Sequence, residues 1–170
     1  MTLNRRFIQC DVFSNVPTKG NGLAVVNDAD DLSTEQMQSF AAWTNLAETT
    51  FILKPDNPAA DYRLRIFTPS YEMSFAGHPT LGSCKSWQHW GGIPKQEGVI
   101  IQQCEVGLIE IRTHGHRNAF IAPLTQIEPL TSERLIAVVS KLGISQAEVV
   151  KAALLTLSLI HISEPTRRKR

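Results

Sequence analysis

No apolar run in this 170-residue chain is long enough to cross a bilayer as a helix. The N-terminal stretch MTLNRRFIQCDVF has two arginines but no apolar core behind them, so it does not read as a secretion signal. Cysteine is scarce: Cys10, Cys84 and Cys104 form an odd set with no CxxC spacing. That excludes a disulfide framework and the usual structural zinc patterns, and points to reduced thiols in the cytoplasm. Charge of one sign is also lacking. The net charge of +1 offers no electrostatic case for nucleic acid, and nothing suggests a membrane surface as a partner. Internal repeats and low-complexity tracts are absent.

What is present is the composition of a globular domain with a real core. The last fourteen residues stand apart. LSLIHISEPTRRKR, residues 157–170, holds four of the 17 basic residues and one of the 16 acidic ones. Its first eleven residues, Leu157–Arg167, resemble without mismatch the in-frame translation of a common transposon sequencing adapter. The segment is therefore left out of the fold reading and is expected to make few specific contacts. On this reading the natural chain continues beyond Thr156. His161 falls in the tail and is given no role.

Along the rest, strands alternate with helices. Arg5–Phe13 is rich in β-formers, Ser14–Gly22 is turn chemistry, and Leu23–Asn27 is a short buried strand. Ser33 and Gln36 have capping-box spacing, with Leu32 and Met37 at the staple positions, so a helix runs from there to Trp43 or Thr44. Glu48–Lys54 and Asp61–Thr68 read as strands. The second alternates, with Tyr62, Leu64 and Ile66 on one face and Arg63 and Arg65 on the other. Pro79 suits the first turn of a helix that Gly91-Gly92 ends. Two or more strands follow, with a bend at Gly115. After Pro129, Thr131–Gly143 reads as a helix. A second helix is expected from Ser145, with Glu148 closing its capping box and Ile144 and Val149 as its staple. Short turns between adjacent strands disfavour a doubly wound parallel sheet and favour an α+β fold.

Glu48 ends a polar stretch and opens an apolar strand. A carboxylate there is either a solvated strand-end residue or a partly dehydrated group suited to moving protons. His78 at a helix start is either a capping residue or part of an anion site built on backbone N–H groups. For both, the residues alone favour the structural reading. Gly77 beside it permits close approach, a positive φ, or both. His114 and His116 flank a turn glycine and read as hairpin decoration rather than metal ligands. The KGNG run of Lys19–Gly22 lacks a phosphate-loop pattern, and Cys84 reads as a core residue.

The runs CDVFSNVPTKGNGLAVV, LAETTFI and RIFTPSYEMSFAGHPTLG, in this order, resemble the N-terminal half of the phenazine-biosynthesis PhzF-like family. The resemblance covers roughly Arg5 to Ala122. It implies a diaminopimelate epimerase-like fold, in which a β-barrel-like sheet wraps a central helix, with a lobe over residues 1–128, a helical segment over 129–156 and a second lobe missing. The central helix would begin at His78, with Gly77 and His78 facing a cleft. The resemblance also implies that Glu48 is the acid/base, that Gly77 and His78 bind substrate, and that no cofactor or metal is used. Related racemases use paired cysteines, one just before the motif glycine. Here that position is Ala76, which disfavours thiol chemistry. The family's second lobe carries an aspartate–proline and a glycine–serine motif that this sequence lacks, so the chain is expected to supply half an active site and to be inactive alone. The expected function is a truncated isomerase or epimerase that relocates a proton on a small cyclic or amino-acid-like carboxylate, with a homodimer as the full-length form. The rival is a non-catalytic binding domain that kept the fold.

Overall fold

A computed structural model describes residues 4–115, 117–123, 125–157, 160–163 and 166–167. His116 lies outside the described residues, as do 158–159, 164–165 and 168–170 of the tail. Two compact units divide at Ala122/Pro123, a little before the expected lobe boundary at 128.

The first unit contains β1 (Phe7–Val12), β2 (Asn21–Val26), α1 (Thr34–Thr44), β3 (Glu48–Leu53), β4 (Tyr62–Phe67), β5 (Glu72–Met73), α2 (Gly77–His89), β6 (Val99–Cys104), β7 (Gly107–His114) and β8 (Arg117–Phe120). The sheet runs β1-β2-β3-β4-β6-β7-β8, with β5 paired to β4. Most neighbours are antiparallel. The two parallel joins, β2–β3 and β4–β6, are each bridged by a helix, as parallel strands require. Helix α2 touches both edge strands, β1 and β8, as well as β2, β3, β4 and β6. A flat sheet cannot bring its first and last strands to one helix. This sheet therefore curls into a half-barrel around α2, which is the α+β architecture expected.

Side-chain alternation sorts the two helices to opposite faces of the sheet. Val12, Leu23, Val25, Ile52, Tyr62, Leu64, Ile66, Ile100 and Ile111 form the inner core with Cys84 of α2. Val26, Phe51 and Phe67 point the other way and pack with Met37 and Ala41 of α1. Phe51 and Phe67 meet edge to face at 5.5 Å. The expected capping box of α1 is present, with Ser33 Oγ accepting from the Gln36 amide and Gln36 Oε1 accepting from the Ser33 amide. Gly91, at φ +86°, stands just past the end of α2.

The second unit contains β9 (Thr125–Pro129), α3 (Ser132–Leu142), β10 (Val149–Lys151), β11 (Ala153–Leu157), β12 (Ile160–Ser163) and β13 (Thr166–Arg167). Here the sequence reading needs two corrections. The capping box of Ser145 and Glu148 forms, but it opens only a single 3-10 turn, Gln146–Glu148. The chain then extends, because β-branched Val149 and Val150 favour strand and Ala153–Leu157 finds a partner in β9. The tail, expected to make few contacts, pairs through Ile160–Ser163 with β11, whose second edge would otherwise be open. Among the described residues no helix is long and apolar enough to cross a membrane.

Candidate active site

Strand β3 delivers Glu48. Its alternate residues Thr50 and Ile52 face the half-barrel interior, where Thr50 Oγ1 lies 2.8 Å from Ser83 Oγ of α2. Thr49 and Phe51 face α1, and Thr49 Oγ1 lies 2.8 Å from Thr44 Oγ1. By the same period of two, Glu48 points inward. Two residues back along a strand is about 6.6 Å, and five residues back along a helix from Ser83 is about 7.5 Å. The Thr50–Ser83 contact thus carries Glu48 to the level of His78.

The pair does meet. Glu48 Oε2 is 3.0 Å from His78 Nδ1, with side-chain exposures of 18% and 8%. This is ion-pair distance, but the contact does not meet hydrogen-bond geometry. Among the described residues, neither Glu48 Oε2 nor His78 Nε2, both buried, has a hydrogen-bond partner. Buried polar atoms are nearly always satisfied, and each orphan costs about 1–3 kcal/mol. Glu48 Oε2 has His78 Nδ1 at ion-pair distance, so His78 Nε2 is the atom with room for a further partner.

The start of α2 reinforces this. Its N-cap is Ala76, which makes no side-chain cap, whereas Ser33 caps α1 and Thr131 caps α3. Among the described residues no side chain caps the first helical amides, of Gly77 and His78, and the helix dipole favours an anion there. Pro79 has no N–H to add, and the Thr80 amide donates to Ala76 O. An uncapped helix start with an unpartnered, nine-tenths-buried imidazole nitrogen beside it can hold a carboxylate. Gly77 lies close to Phe120 and has no positive φ. A Cβ there would lie 2.9 Å from Phe120 Cζ.

All three sequence candidates thus fall together. The uncapped Ala76 was visible in the sequence; the Thr50–Ser83 tie was not. Cys84 is core, as read, and burial pushes its thiol up to about 12. His114 is exposed at the end of β7. A cavity of about 860 Å³ runs beside α2 between the β1 and β8 edges, lined by Cys10, Leu81, Lys85 and Arg117 among others, but neither Glu48 nor His78 lines it.

Comparison with known proteins gives the family. The family model for "Phenazine biosynthesis-like protein" matches residues 10–158. The chain belongs to the phenazine biosynthesis-like family. Antisense-enhancing sequence 1 of Schizosaccharomyces pombe, a relative, is 46% identical over 143 residues, covering 81% of this chain and 48% of that protein. The trans-2,3-dihydro-3-hydroxyanthranilate isomerase of Pseudomonas chlororaphis is 52% identical over 77 residues, 45% of this chain and 27% of that protein. A predicted epimerase from Pseudomonas aeruginosa superposes with a TM-score of 0.76 at 26% identity, covering 92% of this chain and 57% of its own. The phenazine biosynthesis-like chain described here spans about half the length of the first of these relatives.

Proposed function

We propose that this chain supplies one wall of an isomerase site in which Glu48 moves a proton on a small carboxylate substrate. Gly77 and His78 hold the substrate carboxylate at the start of α2. Glu48 takes a proton from a carbon of the substrate and returns it to another position, so substrate and product are isomers and no electrons leave the molecule. The observation that carries this reading is the buried Glu48–His78 approach of 3.0 Å, with His78 Nε2 left without a hydrogen-bond partner among the described residues. The isomerase name of the Pseudomonas chlororaphis relative supports the reaction class.

The full-length gene product is proposed to act as a homodimer in the cytoplasm, with a second lobe closing the site. The 170-residue chain alone is proposed to lack turnover. The residues from Leu157 on are proposed to be an adapter translation. Resequencing the locus across Thr156 tests that point.

The function is tested by supplying trans-2,3-dihydro-3-hydroxyanthranilate to the full-length protein and measuring solvent-deuterium incorporation into the isomer formed from it. Label should appear with wild type and fall by about 10²-fold or more with Glu48→Gln. Equal incorporation by both proteins removes Glu48 from the mechanism. Carboxylate binding without label would favour the rival reading, a binding domain.

A further inference from the structure

Strand β1 ends at Val12, and the next residue turns left-handed: Phe13 has a φ of +66°. Glycine enters that region freely, but for a bulky side chain it is an outlier that persists only where its surroundings impose it. The loop to β2 does so. Asp11 Oδ2 accepts from the Thr18 amide at 2.6 Å, and Ser14 Oγ accepts from the Val16 amide at 3.0 Å. Gly20 packs so close beneath the strand end that an added Cβ would lie 2.6 Å from Val12 O.

Core packing does not explain the strain. Phe51 and Phe67 are fully buried, whereas Phe13 is 74% exposed. The strained conformation instead holds the ring 6.3 Å from the His78 ring, centroid to centroid, at a tilt of 47°. Phe13 also borders the 860 Å³ cavity beside α2. A large apolar ring is thus held out of the core, over the imidazole whose Nε2 has no partner.

We infer that Phe13 is a specificity-determining residue, an aromatic wall beside the carboxylate site that selects ring-bearing carboxylates over open-chain ones. The inference rests on the proposed anion site at Gly77 and His78. A flat ring anchored there by its carboxylate packs on the Phe13 face by offset or edge contact, and an open-chain acid of the same charge has no such surface to offer.

The test uses the 170-residue chain, with benzoate as the ring-bearing probe and propionate as the open-chain one. Binding is read from the Gly77 and His78 amide signals by NMR. Wild type should favour benzoate by about three- to tenfold, the size expected of one aromatic contact. Phe13→Leu should bring the two probes within about twofold by weakening benzoate alone, and Phe13→Tyr should restore the preference. Phe13→Gly should lose the preference and raise Tm, because it relieves the left-handed backbone without uncovering core. An unchanged preference in Phe13→Leu overturns the role of Phe13 and leaves the anion site standing. A lower Tm for Phe13→Gly also overturns it, by making the ring a structural one. If neither probe moves the Gly77 and His78 signals in wild type, the anion site falls and the role of Phe13 falls with it.

Discussion

Thr50 Oγ1 and Ser83 Oγ lie 2.8 Å apart in the closed interior of the half-barrel, both residues being almost wholly buried. The contact joins the strand that starts with Glu48 to the helix that starts with Gly77 and His78, and so fixes their relative height. Ser83→Ala should cost about 1 kcal/mol, because Thr50 Oγ1 keeps its bond to Ala24 O at 3.3 Å. The double change with Thr50→Val should cost less than the sum of the single changes, since each single change already loses the shared contact. Urea denaturation of the four proteins gives the coupling directly, and strict additivity would show the pair to be independent.

Two glycines of α2 should respond differently to alanine. At Gly82 a Cβ would lie 2.5 Å from Leu23 Cδ2 and 2.8 Å from Val12 Cγ2, both core side chains. Gly82→Ala should destabilise by about 1–3 kcal/mol. At Gly77 the nearest atom is the far edge of the partly exposed Phe120 ring, which can swing. Gly77→Ala should cost less than about 1 kcal/mol, by the same reasoning from core crowding. Thermal melts of both variants check the order, and a larger loss at Gly77 would contradict it.

Stability should fall in alkali. Burial raises the Cys84 thiol from 9.0 to about 12 and holds the Tyr62 hydroxyl well above 10.0; Cys10 and Cys104 shift in the same direction. Below pH 9 folded and unfolded chains both keep the Cys84 proton, so its contribution is fully present. Above pH 9 the unfolded chain releases that proton and the folded one does not. Each pH unit up to about 12 should therefore cost about 1.4 kcal/mol from this group. Urea midpoints at about pH 8 and pH 10.5 should show the fall, and native Cys84 should resist thiol reagents at pH 8. A midpoint that holds or rises would show that Cys84 ionises freely in the fold.

In the full-length protein, Glu48→Gln and His78→Ala should separate kinetically. Glu48→Gln keeps the shape and removes the titrating group, so kcat should drop by about 10²-fold or more with KM nearly unchanged. His78→Ala removes an orienting group and should raise KM as well. Steady-state kinetics on the two variants decides, and matching effects on both parameters would deny them distinct roles.

Local chemistry made much of this fold legible. The Ser33–Gln36 box, the Tyr62–Leu64–Ile66 face and Gly91 each act within a few residues, and each appears where the sequence places it. Ser145 and Glu148 carry the same capping signal as Ser33 and Gln36, yet the helix stops after one 3-10 turn. There a distant strand, Thr125–Pro129, competes for the backbone, and no local pattern announces it. The site divides the same way. Glu48 and His78 could each be placed at the start of an element, but their meeting depends on how β3 lies along α2. Phe13 was read only as a strand end, because strain at one φ leaves no mark on composition.

Helix α2 is wrapped by strands made both before and after it. Val12 precedes it, and Phe120 follows it by some thirty residues. On the ribosome, Gly77–His89 and the inner faces of β1 to β4 must therefore wait, uncovered on one side, until β6, β7 and β8 have left the exit tunnel. For that interval the growing chain shows water the apolar surface of Leu23, Ile52, Leu64 and Ile66. A pause in translation once His89 has left the tunnel should make the nascent chain a target for chaperones that bind apolar segments. The same pause placed once Ala122 has emerged should not.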